Sequence, residues 1–160
     1  MKAFLITPDH ANQICVVQVV DVRERPLETS GGRMDADYQH INELLGATHF
    51  DLVRTGSGKL AKHCGYVDGE GLLTPQAGYI LCPDLYQLPL AGPVLLLAEA
   101  FDEDFGGIAC AASISDDDVR QLFTKSYVSR RYAKAAHELA EEQTAAMYPD
   151  VVVLRTSGEM

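Results

Sequence analysis

The sequence predicts an α+β domain: a mainly antiparallel sheet, one short inserted helix, and one or more amphipathic helices near the C-terminus. Short apolar and β-branched runs recur through residues 1–114, separated by turn-forming residues. One helical stripe interrupts them near 37–45, and another follows Ser115. At 160 residues the chain has the length of a single domain, 1–160. Within it, 1–114 reads as mostly β, 115–148 as helical, and 149–160 as a strand or tail.

Lys2–Thr7 reads as a strand, turned by Pro8-Asp9-His10-Ala11-Asn12 into the β-branched run Gln13–Val20 as a hairpin. Arg23–Asp35, with Pro26 and Ser30-Gly31-Gly32, reads as an exposed loop. Tyr38, Ile41, Leu44 and Leu45 form one stripe of a helix over Asp37–Leu45, and Gly46 suits its left-handed cap. His49–Arg54 and Leu60–Val67 read as strands flanking Thr55-Gly56-Ser57-Gly58. Asp68-Gly69-Glu70-Gly71 is a turn before Leu72-Leu73. Gln76–Cys82 and Gly92–Ala98 are further strands, and Pro89 and Pro93 make the second an edge strand or one that begins there. Phe101–Ser113 reads as either a loop or a short strand. Ser115-Asp116-Asp117-Asp118 resembles a capping box opening a helix that runs to about Met147, divisible near Ser126 and Ser129. Its stripe is Val128, Tyr132, Ala135, Leu139 and Ala146, and Pro149 ends it before Val151–Leu154, a last strand or tail.

Composition narrows the function classes. Twenty-three acidic and 13 basic residues give a net charge of −10, with 47% hydrophobic residues. Residues 1–114 hold −8 of that charge and 115–160 hold −2. Such a surface repels phosphate backbones, so direct nucleic-acid binding is not expected, whereas a basic partner would be attracted. No apolar run is long enough for a transmembrane helix, and the opening run stops too soon for a signal peptide, so a cytoplasmic protein is expected. Cys15, Cys64, Cys82 and Cys110 lie far apart, so neither zinc ligation nor disulfides are expected, and no cofactor is indicated.

Local motifs offer little chemistry. Thr55-Gly56-Ser57-Gly58-Lys59 fails as a phosphate loop, because Val53 stands where its first glycine belongs and Leu60 follows the lysine. His63 and Cys64 are adjacent on a strand and point to opposite faces, so they form no nucleophile–base pair, and no catalytic residue is expected. Glu99, Asp102, Glu103, Asp104, Asp116, Asp117 and Asp118 form an acidic concentration. It reads either as a helix N-terminus beside a solvated loop, or as a phosphate-like array for a basic partner. Arg130, Arg131, Lys134 and His137, countered by Glu138, Glu141 and Glu142, read as a solvated helix face.

The opening Met1-Lys2-Ala3-Phe4-Leu5-Ile6-x-Pro8 resembles the start of a widespread group of small uncharacterised proteins encoded mostly by bacteriophages and other mobile elements. Phe50-Asp51-Leu52-Val53-Arg54, Val67-Asp68-Gly69-Glu70-Gly71-Leu72-Leu73 and Leu88-Pro89-Leu90-Ala91-Gly92 followed by the apolar run Val94–Leu97 extend the resemblance across 1–98. Arg23–Met34 and Ser113–Met160 have no counterpart in it. These motifs are turns and strands, and they carry over a fold without a catalytic residue.

The resemblance implies an accessory protein of the host bacterial cytoplasm. It would bind and inhibit a nucleic-acid-binding defence complex, of anti-CRISPR or anti-restriction type, by imitating DNA with its carboxylates. Two other readings stand beside it. One is a small-molecule- or nucleotide-handling protein with a pocket between sheet and C-terminal helix, drawing on His63, Tyr79, Asp84 and Tyr86. The other is a structural module forming a homodimer through the stripe on residues 128–146.

Overall fold

The computed structural model describes residues 1–9, 14–27, 33–54, 63–71, 79–82, 85–86, 90–102, 108–123, 127–129 and 153–156. They form a mainly antiparallel seven-stranded sheet, a separate three-stranded sheet, a two-stranded ribbon and two helices.

The hairpin forms as its β-branched composition predicts: β1 (Lys2–Asp9) pairs antiparallel with β2 (Ile14–Asp21). The segment expected to be an exposed loop is instead partly a ribbon, β3 (Glu24–Pro26) against β4 (Met34–Ala36). Loop-like composition misled there, because the ribbon is held by long-range contacts: Ala36 packs in the core, and the buried Asp35 carboxylate accepts the Ala111 N–H. Helix α1 (Tyr38–Leu45) starts at Asp37, whose carboxylate accepts the Gln39 N–H, and ends on Gly46 at φ 65°. Its stripe seats Ile41 and Leu45 in the core.

Strands β5 (Phe50–Arg54) and β6 (His63–Asp68) follow, then β7 (Tyr79–Leu81), β8 (Leu90–Ala91), β9 (Val94–Asp102) and β10 (Ile108–Ala112). With β12 as Val153–Thr156, the main sheet has the order β12-β2-β1-β9-β6-β5, and β10 also pairs with β9. β9 begins directly after Pro93, as one of the two readings of that proline required, but it is central and not an edge. Starting the ladder at Val94 leaves the missing proline N–H outside it.

Helix α2 (Asp116–Phe123) follows Ser115 as expected, and the rest of the expected helix up to Met147, apart from Tyr127–Ser129, lies outside the described residues. Tyr127–Ser129, expected to be helical, is strand β11 on β7, where an aromatic and a β-branched residue satisfy an open strand edge. Val128 therefore cannot belong to a helical stripe, and the other residues of that stripe lie outside the described part. β12 (Val153–Thr156) pairs in parallel with β2, so these residues of the terminal segment form a strand. Among the described residues, no helix is long and apolar enough to cross a membrane.

Opposed residues in an antiparallel ladder share a face, so register sorts the core into two halves. On one face Phe4, Ile6, Val17, Val94 and Leu96 pack with Ile80, Leu85, Ile114 and the α2 residue Val119. On the other, Ala3, Cys64, Tyr66, Leu95, Leu97 and Ala111 meet Val22, Ala36, Ile41 and Leu45. Each large side chain fully buried in this way stabilises the fold by about 1.5–3 kcal/mol.

Candidate functional site: a polar cleft on the α1 face

The α1 face of the sheet is not apolar throughout. Arg54 lies opposite Cys64, and Cys64 opposite Leu97. Two positions beyond Leu97, strand alternation returns Glu99 to the same face, opposite Ala111 of β10. Arg54, Cys64, Glu99 and Ala111 thus cross neighbouring strands, with Tyr66 two positions from Cys64.

A second wall comes from β4 and the start of α1. Asp35 Oδ1 accepts the backbone N–H groups of Ala36 and Ala111, both at 2.9 Å, and Oδ2 accepts the Tyr38 hydroxyl at 3.2 Å. The Arg25 guanidinium stacks 4.0 Å over the Tyr38 ring. Phe50 stands edge-on between Tyr38 and Tyr66, with ring centroids 5.4 and 5.1 Å away. Asp35, Tyr38, Leu52 and Cys110, together with Arg54, Cys64, Tyr66, Glu99 and Ala111, line a cavity of about 50 Å³.

Charge in the cleft centres on one ion pair. The Glu99 side chain is only 6% exposed and meets Arg54 Nη2 at 2.8 Å, while Arg54 is 56% exposed. Glu99 raises the Arg54 pKa, so the cation persists across all ordinary pH. Burial, then the Glu99 charge, pushes the Cys64 thiol up to about 11, against the opposing effects of Arg54 and a Tyr66 hydrogen bond. The Tyr66 phenol is likewise raised, first by burial and then by Cys64. At neutral pH both groups are therefore uncharged hydrogen-bonding groups. Cys64 is far from the thiolate state that nucleophilic attack needs.

The acids singled out by the sequence divide between opposite faces. Glu99 is buried in the cleft and is corrected from an exposed contact residue to a cleft wall. Asp102 ends β9, and Glu103 and Asp104 lie outside the described residues. Asp116, Asp117 and Asp118 open α2 on the other face. There Asp116 pairs with Lys2, and Asp118 lies 3.3 Å from His63 Nε2 and receives the Ser115 hydroxyl. Asp117 projects, 87% exposed, with Arg120 3.9 Å away. Glu99 therefore shares no surface with Asp116–Asp118.

The residues proposed for nucleotide handling do not form this cleft. His63 is buried on the α2 face, Tyr79 is buried against Ala91, Tyr86 is exposed, and Asp84 lies outside the described residues. Asp35, Arg54 and Tyr66 were not weighed as site residues from the sequence, Tyr38 entered only as a helix-stripe residue, and Cys64 only as a nucleophile and metal ligand that was set aside. The signal that was present was strand alternation, which carries Glu99 onto the face of Leu95 and Leu97 once β9 is extended beyond Ala98.

Among the described residues no group of three or more His, Cys, Asp or Glu side chains could hold a metal ion. No protein-family model, curated protein or solved structure matches the chain.

Proposed function

We propose that this protein is a small-ligand-binding protein whose site is the cleft between β5, β6, β9, β10 and the start of α1. One observation carries the reading: ionised and hydrogen-bonding side chains from neighbouring strands converge on one opening, whose lining includes the buried Glu99 carboxylate. Sites that recognise small polar molecules combine an apolar enclosure with a few convergent polar groups. Here Leu52 and the Tyr38 ring supply the apolar part, and Arg54, Glu99 and Cys64 the polar part.

Ligand-observed NMR with a library of small polar fragments tests this, using wild type, Glu99→Gln and Leu52→Trp. Fragments that bind wild type and lose binding in both variants support the cleft. Absence of binding, or binding unchanged in both folded variants, contradicts it.

A second reading keeps the acidic docking surface of a mobile-element inhibitor of a nucleic-acid-binding defence complex. Its support is the projecting Asp117 on a chain of net charge −10. Affinity for a basic partner should then fall steeply between low and high salt, and Asp117→Lys should abolish it. A flat salt response counts against that reading.

A further inference from the structure

We infer that the cleft accepts a small organic cation, an alkylammonium or alkylguanidinium head-group, on Glu99; this deepens the binding reading above and rests on it.

The charged groups lining the cleft are two carboxylates, Asp35 and Glu99, and one cation, Arg54, with a second cation, Arg25, placed 4.0 Å from Asp35. Asp35 is already committed, with one oxygen taking two backbone N–H groups and the other a phenol. Glu99 is the carboxylate left for a ligand. Among the described residues its ion pair runs through Oε1 to Arg54, and no further partner is shown for Oε2.

Arg54 is a replaceable partner. Its side chain is 56% exposed and extends from β5, at the end of the sheet order. Moving it outward returns its guanidinium to water, whereas the buried Glu99 carboxylate still requires a cation. A ligand cation can share Glu99 through Oε2 or take the place of Arg54. Leu52 and Tyr38, 46% and 43% exposed, offer apolar surface to the ligand's alkyl stem. The overall charge of −10 draws cations in and opposes anions. The cavity of about 50 Å³ limits the occupant to a head-group with a short stem.

This chemistry has two sources, a free amine or guanidine and the Lys or Arg side chain of a partner protein. Chemical rescue tests the class and a peptide arm separates the sources. Arg54→Ala should lower the melting temperature, and millimolar methylguanidinium chloride should recover at least half of the loss. Arg54→Ala combined with Glu99→Gln should show no recovery beyond that given by equal sodium chloride. Failure of rescue in the single variant, or equal rescue in the double variant, overturns the inference. If Arg54→Ala does not fold, calorimetric titration of wild type with methylguanidinium decides in its place: binding that Glu99→Gln abolishes supports the inference, and no binding overturns it. Neutral or anionic fragments bound in the cleft without any methylguanidinium effect would overturn the cation and leave the binding reading standing. An acetyl- and amide-capped Gly-Arg-Gly peptide binding at least tenfold tighter than methylguanidinium assigns the site to a partner's side chain; equal or weaker binding assigns it to a free cation.

Discussion

The Asp35 carboxylate and the Ala111 amide join across 76 positions of chain, at 2.9 Å, and pin the β3–β4 ribbon to the sheet beside the cleft. The same oxygen holds the N–H of Ala36, so a 4%-exposed carboxylate satisfies two backbone donors at once. Asp35→Ala leaves both unpaired and should cost about 2–6 kcal/mol, since each buried orphan costs about 1–3 kcal/mol. Asp35→Asn, which keeps an acceptor oxygen, should cost less. Urea denaturation of the two variants measures the difference.

Gly65 on β6 has no room for a side chain. A Cβ there would stand 2.7 Å from Val53 Cγ2 and 3.4 Å from both Leu85 and Val94. Val53 is stiff at χ1 and buried, so it cannot turn aside. Gly65→Ala should destabilise by about 1–3 kcal/mol through overpacking. Pairing it with Val53→Ala should recover part of that loss, which a double-mutant cycle of melting curves can check.

The start of α2 should respond to acid. The Ser115 hydroxyl, and after it His63, hold the Asp118 carboxyl below the usual carboxylate range. A depressed folded-state pKa contributes stability above the unfolded value near 3.9, which disappears as pH falls through the folded value. Asp118→Asn should flatten the stability profile below about pH 4. Ser115→Ala should cost about 0.5–2 kcal/mol at neutral pH by removing the cap on the Asp118 N–H.

At the alkaline end the buried thiols dominate. Cys15 is pushed up to about 12, by burial and then by Cys82, and Cys64 to about 11. A raised folded-state pKa gives stability that is complete below the ordinary thiol value of 9.0 and is lost as pH climbs through 11 and 12. Chemical denaturation should therefore show a fall in stability beginning near pH 9. All four cysteines are buried, so thiol reagents at pH 8 should label the native protein far more slowly than the unfolded chain.

Much of the local structure was legible in the sequence, because local rules govern it. The β1–β2 hairpin, the helix closing at Gly46 and the Ser115 cap each follow from residues near one another in the chain. The cleft was not legible. Asp35 sits in a segment of loop-like composition, and its partner at Ala111 is fixed by a strand order that no local pattern encodes. Glu99 looked exposed because acids follow it, yet its position in β9 turns it inward beside Arg54. Tyr127–Ser129 misled in the opposite sense, its helical spacing overridden by the free edge of β7.

The binding claim is tested most directly by a two-dimensional ¹⁵N NMR titration of the full chain with methylguanidinium chloride. Saturable amide shifts centred on Arg54, Cys64, Tyr66, Glu99 and Ala111 are expected, and they should vanish in Glu99→Gln. Shifts no larger than those produced by equal sodium chloride, or centred instead on Asp116–Asp118, would contradict it.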